Sequence, residues 1–343
     1  MRAKAIAVMA TRTQDQPIVA EMAELHGVKD RDRFSIESPN TIVAGYGRHP
    51  WFSHELYDDT VSEPTFALGD SEDVEAAKER HYKAVLTPSP QDPAFWRDLP
   101  TPEPLSEFIF ATRIRLKADP LAMIGEIGLD KPFRLAKQWE SPALKDQDPE
   151  RTPGGRQGRV LSPHHIRMEH QKTILMAHLS LAGELGRAVS VHGVQVHGLL
   201  YDALSSCWKG HERKGRNQRS RMKGTAEPDM GPRPYPPRIC LHSFSGKGDA
   251  VKQYLKPSIP AKIFFSFSMA NNLRSEVGRA KAEDAVRMVP DNRLLVESDL
   301  HAAGERMDGE LEEMYRTICE FKGWGIEEGV KQIADNYQEF VFG

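Results

Sequence analysis

Cysteine is nearly absent from this 343-residue chain: Cys207, Cys240 and Cys319 are the only three. They are far apart, form no C-x-x-C pair and are odd in number. That excludes a zinc ribbon and a disulfide-stapled scaffold, and it implies reduced thiols in the cytosol or nucleus. A dominant charge is missing too. Lys and Arg number 46 against 49 Asp and Glu, a formal net charge of -3. No global field therefore advertises nucleic acid or an anionic membrane, and any such partner must be met by a local patch. No apolar run approaches membrane-span length, no internal repeat is visible, and no G-x-S-x-G elbow supports serine-hydrolase chemistry at the S-F-S-G string. The opening MRAKAIAVMATRT is basic and apolar enough to mimic a targeting peptide. It reads equally well as a strand over 5–9 leading into a helix after Asp15-Gln16-Pro17.

What the chain does have is an alternation of short apolar runs with longer amphipathic ones. Strands are expected at 5–9, 41–44, 122–124, 188–191, 238–241, 262–267 and 294–296. Several are apolar almost throughout, as strands covered on both faces of a parallel sheet must be. The clearest helix falls within 164–187, where Leu175, Leu179, Ala182 and Leu185 share a face and Gly186 supplies the stop. Alternation of this kind indicates an α/β protein with a parallel sheet. The whole chain, 1–343, reads as one barrel domain with two polar surface insertions, at about 131–163 and 206–237. The second is basic: between Lys209 and Arg238 nine Lys and Arg face three acids.

Polar residues cluster where the strands give out. Glu126 follows the run ending at Ile124, His192 follows Val191, His242 follows Leu241, and Glu297-Ser298-Asp299 follows Val296. The strand at 41–44 leads through GYGR to His49-Pro50. In a closed parallel barrel such ends share one face, where active sites sit. An ionised carboxylate leaving an apolar strand is costly unless it is paired or binds a metal. Glu, His, His and Asp are ligands for a divalent ion of the zinc, manganese or magnesium kind, which lowers the pKa of a bound water and makes it a nucleophile.

These strings resemble the TatD family of metal-dependent deoxyribonucleases, amidohydrolase-like (β/α)8 barrels of TIM type. GEIGLD at 125–130, LAGELGRAVSVH at 181–192, LHSFSG at 241–246, LLVESD at 294–299 and ADNYQEFVFG at 334–343 carry the resemblance. The insertions and the MATRTQDQ segment are similar to a fungal branch, some of whose members are described as partners of an anaphase-promoting-complex subunit. The resemblance implies that Glu126 bridges two metal ions, that His192 and His242 are ligands, and that Asp299 is a ligand which also orients or deprotonates water. It implies a substrate-facing role for His49, with Trp51 standing where the family has a second histidine.

One departure is larger. The family opens on a strand ending in His-x-His, and this sequence contains no His-x-His. Seven strands are counted where the barrel needs eight, so the expected fold is a barrel lacking its first strand, split between the strands at 5–9 and 294–296. An in-frame strand upstream of Met1 would mean a mis-called start. The expected function is metal-assisted hydrolysis of a phosphodiester, with Arg213, Lys214, Arg216 and Arg219 holding the DNA backbone. The alternative is a barrel impaired in catalysis that serves as an interaction partner in cell-cycle control.

Overall fold

The computed structural model describes residues 2–29, 41–68, 73–138, 160–213 and 232–343. All seven expected strands form: β1 (Ile6–Ala10), β2 (Ile42–Tyr46), β3 (Met123–Asp130), β4 (Val189–Val194), β5 (Arg238–Leu241), β6 (Lys262–Ser268) and β7 (Leu294–Glu297). They lie side by side in chain order and every neighbouring pair is parallel. Among the described residues the longer helices beside this curled sheet are α1 (Asp15–His26), α2 (Val74–Val85), α3 (Leu105–Ala118), α4 (Met168–Leu185), α5 (His197–Trp208), α6 (Glu276–Met288), α7 (Glu305–Lys322) and α8 (Ile326–Phe342). Gly186 ends α4 in the left-handed conformation, at a φ of 66°, which a residue with a Cβ adopts reluctantly.

Strand side chains alternate between two packing layers, as the two-residue period of a strand requires. Ala44, Ile124, Ile239, Phe265 and Leu294 belong to the layer shared with helical residues such as Leu175 and Leu179. The other parity, Val43, Met123, Cys240, Phe264 and Leu295, packs against Phe340 and Phe342 at the end of α8. Followed toward the strand C-termini, this second parity turns polar: Cys240 gives way to His242, Phe264 to Ser266 and Ser268, and Leu295 to Glu297. The concave side thus has an apolar floor and a polar mouth, and the strand order alone brings the mouth residues together.

Among the described residues β1 pairs only with β2 and β7 only with β6. The barrel is therefore split between those two strands, as the count of seven implies. The two insertions are narrower than expected. Phe133 and Leu135 are buried, and Leu135 pairs through its backbone with Ser162 and His164. Cys207 and Trp208 close α5 within the core, and Tyr235 is buried beyond it. The polar composition of these stretches concealed apolar anchors at their ends. Their centres, 139–159 and 214–231, lie outside the described residues. The cysteines Cys207, Cys240 and Cys319 are free and buried.

Candidate metal centre

Glu126 does not stand at the end of its strand. β3 runs on to Asp130, and all eight of its residues are buried. The register against β4 slips by one residue between Ile124 and Ile127, so Gly125 and Glu126 form a bulge. A bulge rotates one side chain out of the regular alternation; here it turns the Glu126 carboxylate into the polar mouth. The flanking Gly128 has a φ of 152°, and a Cβ there would lie 2.0 Å from the His192 carbonyl oxygen. Only glycine permits β3 to approach β4 this closely, and that approach delivers His192 to Glu126.

The distances are short. Glu126 Oε1 lies 2.8 Å from His192 Nδ1, 3.3 Å from His49 Nε2 and 3.6 Å from His242 Nε2. His242 Nε2 is in turn 3.1 Å from Asp299 Oδ1. Two donor sets share Glu126, one with His49 and His192, the other with His242 and Asp299, each with donor atoms within 4.8 Å of one another. Asp299 holds a left-handed φ of 54°, a conformation that is strained for most residues and recurs at functional sites.

Two further carboxylates stand behind the histidines. His242 Nδ1 is 2.8 Å from Glu297 Oε2, and Glu297 also accepts from the hydroxyls of Ser243 and Ser266. His192 Nε2 is 3.2 Å from Asp130 Oδ2, which accepts the Trp51 indole N–H at 2.7 Å. Each carboxylate accepts the far ring N–H, so that the near nitrogen, Nδ1 of His192 or Nε2 of His242, faces Glu126 and is the one that would give up its proton to a bound ion. This is the usual outer shell of a metal-binding imidazole. Sequence reasoning assigned neither Asp130 nor Glu297 a role. A signal existed for Glu297, which sits two residues from Leu295 and so on the same face of β7; for Asp130 the bulge hid it.

His49 differs from the other two. Its Nδ1 accepts the backbone N–H of Trp51 at 3.2 Å, so the proton of the neutral ring sits on Nε2, the nitrogen facing Glu126. His49 is thus a hydrogen-bond donor into the site, and it has no lone pair there to give a metal. Burial pushes its pKa below the usual histidine value, against the pull of Glu126. The loop carrying it is pinned by Arg48, which is fully buried. Arg48 bonds Glu55 at 2.8 Å and Thr13 at 2.6 Å and lies 3.4 Å from Glu103.

The electrostatics fit a cation. Burial drives the Glu126 pKa upward, but His242 and His49 outweigh it and hold the carboxyl well below its usual range. Burial likewise opposes protonation of His192, yet hydrogen bonds to Asp130 and Glu126 raise its pKa to about 9. His242 is raised well above the ordinary value by Glu126, Glu297 and Asp299, again against burial. Without a metal, protons on these rings balance the surrounding acids. A divalent ion would replace them, held by Glu126, His192, His242 and Asp299, an oxygen-and-nitrogen set suited to Zn²⁺, Mn²⁺ or Mg²⁺.

Of the expected basic residues, Arg213 does not join this group. The Arg213 backbone N–H bonds Ser258 and its guanidinium bonds Pro260, in the loop that enters β6. That is the N-terminal end of the sheet, opposite the mouth, so the structure does not bring Arg213 together with Glu126, His192, His242 and Asp299. An insertion between a helix and the next parallel strand starts and ends at that far end. Lys214, Arg216 and Arg219 lie outside the described residues.

The family described as TatD related DNase matches residues 17–342. The chain belongs to this TatD family. The Cut9-interacting protein scn1 of Schizosaccharomyces pombe is 36% identical over 338 residues, covering 97% of this chain and 90% of its own. An uncharacterized deoxyribonuclease of Saccharomyces cerevisiae is 27% identical over 266 residues, covering 76% of this chain and 67% of its own. Among solved structures, an uncharacterized amidohydrolase from Saccharomyces cerevisiae superposes with a TM-score of 0.54 at 16% identity, covering 98% of this chain and 88% of that one. At that identity it supports the fold alone, a TIM-type barrel.

Proposed function

We propose that this TatD-family hydrolase is a metal-dependent deoxyribonuclease, holding one or two divalent ions at Glu126, His192, His242 and Asp299. The observation that carries the reading is Glu126 flanked by two acid-backed imidazoles, His192 and His242, with Asp299 beside the latter. A bound divalent ion supplies polarisation of a phosphoryl oxygen and acidification of water. The chain's own residues do the rest. Asp299, fixed by His242 on one oxygen and by the Asn271 amide on the other, orients the attacking water and accepts its proton. The neutral His49 offers its Nε2–H to a phosphate oxygen entering the mouth. The apolar floor keeps bulk water to one side of the site.

The test is hydrolysis of single- and double-stranded oligonucleotides by metal-depleted protein, with and without added Mn²⁺, Mg²⁺ or Zn²⁺. Activity should depend on the added ion and fall to the metal-free background in Glu126→Gln and Asp299→Asn.

A second reading is favoured by the relative named as Cut9-interacting and by the open β1 and β7 edges. In it the barrel is impaired in catalysis and serves as a partner of an anaphase-promoting-complex subunit, in the cytoplasm or nucleus where its thiols stay reduced. Tight ion binding without any phosphodiester hydrolysis would favour it.

A further inference from the structure

Trp51 differs from the residues around it in having a single polar atom, and that atom is spent. Its indole N–H donates to Asp130 Oδ2 at 2.7 Å. Its ring stacks on Phe133, with centroids 5.1 Å apart and planes within 12°. Asp130 is 3% exposed and has no freedom left: the Phe133 N–H bonds Oδ1 at 2.8 Å, and Gln171 holds its backbone N–H and carbonyl at 2.7 and 3.0 Å. The remaining contact of Oδ2 is His192 Nε2, at 3.2 Å.

We infer that Trp51 is a positioning residue for the metal centre, fixing through Asp130 the ring orientation and tautomer in which His192 presents Nδ1 to a divalent ion. The inference rests on the metal reading of the site. The physical reason is that an indole N–H can donate but never accept. An ionised Asp130 only accepts, and the Trp51 N–H pins the place of Oδ2, so that an acceptor faces His192 Nε2 and calls for the proton there. Nδ1, which bonds Glu126 Oε1 at 2.8 Å, is then the nitrogen left to give up its proton and turn its lone pair to a divalent ion. The chain Trp51–Asp130–His192 also joins the His49 loop to β3 and β4, so the loop facing substrate and the site itself are held by one hydrogen-bonded line.

The experiment measures Co²⁺ affinity of the full-length, metal-depleted protein by calorimetry, for the wild type, Trp51→Phe, Asp130→Asn and the double variant. Phenylalanine keeps an aromatic ring on Phe133 and removes the N–H, at the loss of one ring of packing. Co²⁺ should bind about ten- to a hundredfold more weakly to each single variant, with the double variant no weaker than the weaker single one. Additive losses signal two separate structural defects and overturn the inference, as does a Trp51→Phe protein that binds Co²⁺ like the wild type. Should Trp51→Phe fail to fold, Asp130→Asn alone decides the link to His192: wild-type affinity there overturns it. A folded wild type that binds no Co²⁺ overturns the metal reading, and this inference with it.

Discussion

His242 sets Nδ1 2.8 Å from Glu297 Oε2 and turns Nε2 to within 3.1 Å of Asp299 Oδ1. One acid thus holds the ring while the other shares its working edge. Glu297 is held by Ser243 and Ser266, so its role is orientation. Glu297→Ala should weaken divalent-ion binding about ten- to a hundredfold while the metal-free protein stays folded. Chelator-competition titration reads the first and circular dichroism the second. Unchanged affinity would show that His242 is oriented by packing alone.

Arg48 is buried against Glu55 behind the His49 loop, with the pair at 2.8 Å. Removing one partner leaves the other charge uncompensated, which typically costs about 3–5 kcal/mol. Arg48→Met should therefore destabilise the protein by roughly that amount in urea denaturation. The Arg48→Met/Glu55→Leu double variant should recover most of it, because no lone buried charge remains, Glu103 being half exposed to water. Equal stability of the two would mean that the pair is not the source of the loss.

Acid should destabilise the fold through histidines remote from the metal centre. Burial lowers His178 to about 4 and His81 to about 3 from an ordinary value near 6.5. Between pH 6.5 and 4 the unfolded chain binds protons that the folded one refuses, so stability falls as pH falls. The contribution of His178 is full above 6.5 and lost by about pH 4, on the order of 3 kcal/mol. His178→Gln should flatten the pH dependence of the denaturation midpoint within that window. A profile unchanged by the substitution would count against the assignment.

Arg213 lies at the end of the sheet opposite the mouth, bonded to Pro260. Arg213→Ala should leave turnover and KM on short oligonucleotides essentially as in the wild type, with a stability loss of about 1 kcal/mol for the missing hydrogen bond. A KM raised several-fold on a short substrate would require the 214–231 segment to bring cations around to the mouth.

Much of this architecture was legible along the chain. The seven β-strands were recognisable because strands covered on both faces must be apolar nearly throughout, and α4 because Leu175, Leu179 and Ala182 repeat at the helical period before Gly186. Glu126, His192, His242 and Asp299 stood out because a polar group next to an apolar run is costly without a partner. These are local facts, set by composition and spacing.

Tertiary structure alone decided the rest. Whether Glu126 ends a strand or turns within one depends on the one-residue slip between β3 and β4, a property of two segments some 60 residues apart. That His49 donates into the site depends on which of its nitrogens meets the Trp51 N–H. Asp130 and Glu297 became partners of His192 and His242 only once four strand ends shared one mouth. Where Arg213 sits could not be read from its charge, which reveals attraction and not direction; the parallel order of the strands sets the direction and places it at the far end. A sequence specifies which groups need partners, and only the folded chain, which fixes register, tautomer and the end of the sheet each loop occupies, decides which partners they have.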